Sequence, residues 1–155
     1  MVDARDGRTL RAWTGVETLD RRPVFDTYGD TSEVISLPLE PGNYRLIVAA
    51  GRYAPRLLTI SVPSPEIRVA LSPGGALAIR SGEASRKAKL FFPSGDLVPI
   101  QSWRYFDLPL TIGTNLRENI APGNYTLQIL DRAGGVEKTV SIVITEGQTT
   151  IITTD

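Results

Sequence analysis

A segment of eight residues occurs twice in this chain, and the repeat limits the folds that the chain can adopt. Residues 41–48 read Pro-Gly-Asn-Tyr-Arg-Leu-Ile-Val, and residues 122–129 read Pro-Gly-Asn-Tyr-Thr-Leu-Gln-Ile. The two segments lie 81 positions apart, a spacing that is too long for a solenoid repeat and suits a small domain. The sequence therefore predicts two copies of one module, residues 2–72 and 75–155, joined by a short linker rich in glycine and proline.

Apolar side chains recur at every second position within each copy. In the first copy, Tyr44, Leu46 and Val48 share one face, and Arg45 lies on the other. Strict alternation bounded by Gly, Pro and Asn is typical of β-strands with one buried face. Four further segments alternate in the same way: Leu58, Ile60 and Val62; Ile67, Val69 and Leu71; Ala88, Leu90 and Phe92; Val140, Ile142 and Ile144. Short strands at this spacing predict two packed sheets in each module and an all-β protein.

Two segments carry more local expectations. The dipeptide Pro41-Gly42 predicts a turn in which proline fixes φ and Gly42 adopts a positive φ. Tyr44 and Tyr125, which follow this turn in the two copies, are predicted to be structural. The stretch Thr114–Asn119 is interpreted as a candidate for a single helical turn.

The composition excludes most enzyme chemistry. The chain has no His and no Cys, which rules out a Ser-His-Asp triad, a thiol nucleophile, an imidazole base and a His/Cys zinc site. An enzyme that acts through carboxylates alone stays open as an alternative, although no convergent pair of carboxylates supports it. We therefore expect a non-catalytic protein without a cofactor.

Positive and negative charges balance along the whole chain. Lys and Arg number 17, and so do Asp and Glu; nine of each sign lie before Gly75, and eight of each from Gly75 onward. Neither half has the excess of positive charge that binding to nucleic acid requires. The apolar runs are far shorter than the roughly 20 residues of a membrane-spanning helix, so membrane insertion is not expected either.

The repeated segment and its surroundings resemble the carboxypeptidase regulatory-like domain, a β-sandwich of transthyretin-like (prealbumin-like) topology. The opening residues 2–10 are similar to the first strand and turn of that family, and the second copy lacks an aromatic residue after Gly134-Gly135. The remaining matching positions are Leu37, Leu39, Pro41, Gly42, Tyr44, Leu46, Val48, Gly51 and Tyr53. The resemblance implies two tandem small immunoglobulin-like or transthyretin-like β-sandwiches, the second more divergent.

The same resemblance carries an expectation about function. Modules of that family are non-catalytic attachments of secreted and surface proteins. The resemblance implies a structural or interaction module of a larger exported bacterial protein, which spaces or presents neighbouring domains. The implied location is extracellular, at the cell surface or periplasmic, and the implied partners are domains of the parent protein or another surface protein.

Three acidic residues in one predicted loop form a candidate metal site. Asp26, Asp30 and Glu33 lie around a tyrosine–glycine step, and oxygen ligands around a tight glycine turn suit Ca²⁺. Their spacing does not match an EF-hand loop, and Asp between strands more often forms turns. The turn is therefore the favoured interpretation, for these residues and for Asp3 and Asp6.

Two aromatic residues form a candidate carbohydrate site. If residues 101–107 form a strand, Trp103 and Tyr105 share one face and Phe106 lies on the other. An outward Trp/Tyr pair stacks well against a sugar ring, so a carbohydrate-binding module with a polysaccharide partner is the alternative function. The competing interpretation places these rings in a core or an interface. Trp13 and Tyr28 leave the same choice open.

Overall fold

The computed structural model describes residues 1–29, 36–101 and 104–154. Every regular element in these ranges is a β-strand, which confirms the predicted all-β class. The chain forms two compact units: the first contains Met1–Ser72 and Gln101–Arg104, and the second contains Pro73–Ile100 and Tyr105–Asp155. No helix long and apolar enough to cross a membrane occurs in the described ranges.

The first unit contains a four-stranded antiparallel sheet in the order β3-β2-β4-β5 and a two-stranded parallel sheet of β1 and β6. The strands are β1 (Val2–Asp3), β2 (Ala12–Glu17), β3 (Pro23–Gly29), β4 (Gly42–Ala49), β5 (Arg56–Val62) and β6 (Ala70–Leu71). Side chains of both sheets meet in one core, for example Leu46 and Val48 of β4 with Leu71 of β6. Two sheets that pack on a shared core form a β-sandwich.

The second unit repeats this plan with a larger second sheet. Its four-stranded sheet has the order β11-β8-β13-β14, and its three-stranded sheet has the order β12-β7-β15. The strands are β7 (Gly75–Ser81), β8 (Arg86–Phe91), β11 (Asp107–Leu110), β12 (Gly113–Ile120), β13 (Gly123–Leu130), β14 (Val136–Ile144) and β15 (Thr149–Thr153). Two short strands, β9 (Pro99–Gln101) and β10 (Arg104–Tyr105), form a sheet of their own.

The repeated sequence segments occupy the same place in both units. They form β4 and β13, the third strand of each four-stranded sheet, with Tyr44 opposite Ile60 and Tyr125 opposite Ile142. Ile60 and Ile142, which lie 82 positions apart, are therefore equivalent cross-strand neighbours in the two units. In the second unit the hairpin also contains a bulge, in which Glu137 is left without a partner residue on β13.

The glycine of the repeat has a different role from the predicted one. Gly42 is the first residue of β4 and does not adopt a positive φ, so the predicted turn geometry is wrong there, whereas the equivalent Gly123 has a φ of 155°. The tyrosine ring two residues later lies against it: a Cβ on Gly42 would be 3.4 Å from the Tyr44 ring, and one on Gly123 would be 3.7 Å from the Tyr125 ring. Each hydroxyl donates to a backbone carbonyl four residues upstream, Tyr44 to Glu40 at 2.9 Å and Tyr125 to Ala121 at 2.6 Å. The glycine gives the ring room to reach that carbonyl.

Three further details of the sequence interpretation need correction. The Thr114–Asn119 segment lies within strand β12 and forms no helical turn, because the chain pairs with β7 there and bulges near Asn119. The strand predicted around Ile67 is shorter than expected, since only Ala70–Leu71 pairs with β1. Strand β4 has two buried faces, because Arg45 and Ile47 are buried opposite Leu46 and Val48.

Replacing Tyr125 by phenylalanine removes the hydroxyl that bonds the Ala121 carbonyl. The ring is 96% buried, so we expect a loss of about 1 kcal/mol in the free energy of unfolding, measured by urea denaturation. Tyr28→Phe is the matched control, since the Tyr28 side chain is exposed and water replaces any bond it loses. Equal stability of the two variants would contradict the structural role of the repeated tyrosine.

Candidate functional site

The candidate calcium site is only partly within the described residues. Asp26 lies on the exposed side of β3, opposite Gly15 of β2, and accepts a hydrogen bond of 3.1 Å from the Trp13 indole nitrogen. Asp30 and Glu33 lie outside the described residues. Within those residues, no group of three or more acidic side chains is placed to hold a metal ion. Calcium binding by Asp26, Asp30 and Glu33 therefore stays an untested alternative to the turn that the sequence favours.

The candidate carbohydrate site is also only partly within the described residues. Trp103 lies outside the described residues, so the relation of its ring to Tyr105 stays a prediction. Tyr105, in β10, is half-buried, and Phe106 is almost completely buried in the core of the second unit. The single strand considered for residues 101–107 is not formed, because Phe106 lies between β10 and β11 and belongs to neither.

A different aromatic pair meets on the first unit. Trp13 and Tyr28 are direct cross-strand neighbours on β2 and β3. The Trp13 ring occupies the space beside Gly15 where a Cβ would overlap it, and the glycine thus makes space for the indole to reach Asp26. The Arg11 guanidinium stands 4.7 Å from the centre of the Tyr28 ring, within the range of a cation–π contact. These contacts hold the aromatic side chains in fixed positions on the sheet.

A buried ion pair lies on the face of the first sheet that looks away from its core. Arg45 Nε is 2.8 Å from Glu17 Oε1, and the two side chains are 8% and 1% exposed. They are direct cross-strand neighbours on β4 and β2. A buried charge of this kind is tolerated because its partner compensates it, so loss of either side chain leaves a costly buried charge. Alternation alone placed Arg45 on the outer face and gave no sign of Glu17, whose pairing depends on strand register.

Asp3 and Asp6 both form turns, as the favoured interpretation expects. The Asp3 carboxylate accepts from the Arg5 N–H at 2.8 Å, and that of Asp6 from the Arg8 N–H at 2.9 Å. Asp3 also accepts a bond of 2.6 Å from the Tyr53 hydroxyl, fifty positions along the chain. The Tyr53 hydroxyl and then the Arg5 amide lower the pKa of Asp3, because both bonds favour the ionised carboxylate.

A polar cluster closes one end of the second unit. Arg86, at the start of β8, contacts Glu137 at 2.7 Å and Glu83 at 3.4 Å, and it donates to the Thr154 hydroxyl at 3.3 Å. Glu137 is the bulged residue of β14, so the bulge directs its carboxylate toward the arginine. The cluster ties the first residue of β8 to the ends of β14 and β15. Its charges are thus engaged in structural contacts.

A cavity of about 570 Å³ opens in the first unit. Apolar side chains of β4 and β5 line it, among them Leu46, Val48 and Ile60. Thr14 also lines the cavity, and its hydroxyl is buried and has no hydrogen-bond partner among the described residues. Polar residues line it as well, among them Ser64, Glu66 and Arg68, so the lining is mixed. The residues that line it are distant in sequence, so no local pattern predicts it.

Comparison with known proteins adds little to this description. No family model matches the chain, and no curated protein matches it. Two solved structures are similar. The match to the Bacillus anthracis TIE protein has 15% identity and a TM-score of 0.42, and it covers 99% of this chain and 32% of the Bacillus chain. GBS52, the minor pilin of Streptococcus agalactiae, has 10% identity and a TM-score of 0.43 over 96% of this chain and 84% of its own. This chain thus spans about a third of the Bacillus protein, and similarity at this level carries no functional information.

The hydrogen bond between Asp3 and Tyr53 makes the free energy of unfolding depend on pH in the acid range. The folded protein holds the Asp3 proton less tightly than the unfolded chain does. The bond therefore contributes to the free energy of unfolding above about pH 4, and this contribution is lost as pH falls through the lowered pKa of Asp3. Tyr53→Phe should weaken this loss, as followed by urea denaturation between pH 5 and pH 2. An acid dependence equal to that of Tyr28→Phe would contradict the assignment.

Removing the buried Thr14 hydroxyl is expected to stabilise the protein. Thr14→Val keeps the shape of the side chain and removes a buried polar atom that has no partner in the described part of the chain, so we expect a gain of about 1 kcal/mol in the free energy of unfolding. Thr150→Val serves as the control, because it removes a hydroxyl that donates to the Val143 carbonyl at 2.7 Å, and it should lose stability. Urea denaturation measures both, and a destabilised Thr14→Val protein would contradict the account.

Proposed function

We propose that the chain is a non-catalytic structural module of a larger exported bacterial protein, in which it spaces or presents neighbouring domains. On this proposal residues 2–72 and 75–155 are two tandem modules of the carboxypeptidase regulatory-like type. Their location is extracellular, at the cell surface or periplasmic. Their partners are neighbouring domains of the parent protein or another surface protein.

One observation carries the spacing role: the first and last strands of each unit run parallel and side by side. In the first unit β1 pairs with β6, and in the second unit β7 pairs with β15. Parallel neighbours start at the same end of a sheet, so the chain enters a unit at one end and leaves at the opposite end. Along the seven residues of β7 this displacement is about 20 Å, from six steps of ~3.3 Å each.

The polar side chains support a structural rather than a catalytic role. The described carboxylates that the sequence singled out accept hydrogen bonds within the fold: Asp3 from Tyr53, Asp26 from Trp13, and Asp6 from a backbone amide. Arg86 is likewise engaged with two glutamates. The absence of His and Cys from the sequence removes the commonest catalytic groups.

The spacing role is tested by measuring distances across the second unit in the full chain. Because the chain has no Cys, spin labels can be placed on Pro73→Cys and on a cysteine added after Asp155, and compared with Gly82→Cys and the same added cysteine. Double electron–electron resonance should give a narrow distance for the first pair that exceeds the second by about 20 Å, one strand length. Equal distances would mean that the chain leaves the unit where it enters, and would contradict a spacer.

A further inference from the structure

We infer that the second unit is built to bear tension between its ends, and that the first unit yields at a lower force. The inference rests on the proposed spacing function and extends it to mechanical load. It depends on the pairing of terminal strands in each unit, which we call the terminal clamp: β1 with β6 in the first unit, and β7 with β15 in the second.

The terminal clamp of the second unit is a five-residue parallel ladder. It runs from Thr149 opposite Ala76 to Thr153 opposite Arg80. A backbone bond marks each end, from the Ala76 N–H to the Gln148 carbonyl at 2.8 Å and from the Thr154 N–H to the Arg80 carbonyl at 3.0 Å. The ladder therefore connects almost the full length of β7 to the last strand of the chain.

Its geometry determines how a pulling force acts on it. The chain leads into β7 at one end of the ladder and leaves β15 at the other, so tension between Pro73 and Thr154 slides the strands along each other. All the ladder hydrogen bonds then carry load together and must break almost at once. A force applied to both strands at the same end would instead open the bonds one after another. Forced unfolding is governed by this barrier rather than by the equilibrium stability.

Both strands of this clamp are anchored to the rest of the unit. Leu77 and Ile79 of β7 are completely buried, and a Cβ on Gly75 would overlap the Thr145 carbonyl oxygen, so β7 starts tightly against the neighbouring turn. The Lys138 ammonium donates to the Thr153 carbonyl at 3.1 Å. The Thr150 hydroxyl donates to the carbonyl of Val143 on β14. These contacts prevent β15 from detaching as a free end.

The terminal clamp of the first unit is shorter. Only Val2 and Asp3 pair with Ala70 and Leu71. Backbone bonds flank this pairing, from the Val2 N–H to the Val69 carbonyl and from the Ala4 N–H to the Leu71 carbonyl, both at 2.9 Å. With two residue pairs in place of five, fewer bonds share the load. The first unit is therefore expected to release its length first, while the second stays folded.

The test applies force to the full chain through three pairs of attachment points in single-molecule pulling. Cysteines before Met1 and at Pro73 load the first unit alone. Cysteines at Pro73 and after Asp155 load the second unit along its clamp, and cysteines at Gly82 and after Asp155 load the same clamp from one end. The last two proteins share the fold, so thermal denaturation must give them the same stability before they are compared.

We expect the Pro73 pair across the second unit to rupture at a force several times that of the Gly82 pair. We expect the first unit, pulled from before Met1 and at Pro73, to rupture at a lower force than the second unit pulled from Pro73 and after Asp155. Equal rupture forces for the Pro73 and Gly82 pairs would overturn the inference, as would a first unit that outlasts the second. Either result, combined with the expected spin-label distances, would leave the spacing function intact. Failure of those distances would remove the spacing function itself.

Discussion

The parallel pairing of the first and last strands is the constraint on which both units depend. In the second unit it joins residues more than seventy positions apart, from Ala76 to Thr149, and closing so long a loop costs conformational entropy. The core compensates for that cost, because Leu77 and Ile79 of β7 are buried against Leu127 and Ile144 of the opposite sheet. The pairing also decides where the chain enters and leaves each unit. Fold and proposed function therefore share one physical basis.

The repeated segment supplies the strand on which each sandwich is assembled. Strands β4 and β13 each have hydrogen-bonded neighbours on both sides, and their tyrosines tie the strand to the chain that precedes it. The two units differ where the sequence copies differ. Tyr53 links Asp3 to the distant hairpin of the first unit, whereas in the second unit Asp131 accepts from the Gly135 amide in its own turn. The first unit thus ties its short first strand down with a side-chain bond.

The sequence predicts well those elements whose faces differ in polarity. The repeat, the alternation and the turn residues indicate β8, β13 and β14. Prediction fails where a face is buried by partners from other strands. Alternation predicts that Arg45 is exposed, whereas the strand register places it beside Glu17 in a buried ion pair. The sequence leaves the position of Trp13 open, because only the structure shows that Gly15 makes room for its ring. The sequence also does not predict the cavity of the first unit or the polar cluster around Arg86, because each is formed by residues from separate strands.

Native-state hydrogen exchange tests the unequal terminal clamps most directly, because it reports the opening of single hydrogen bonds. The account predicts that the amides of Ala76 and Thr154, which bond across the clamp of the second unit, exchange only when that unit unfolds. The amides of Val2 and Ala4, which bond across the shorter clamp, should exchange through local opening at a lower free energy. Exchange of Ala76 and Thr154 as fast as that of Val2 and Ala4 would contradict the account.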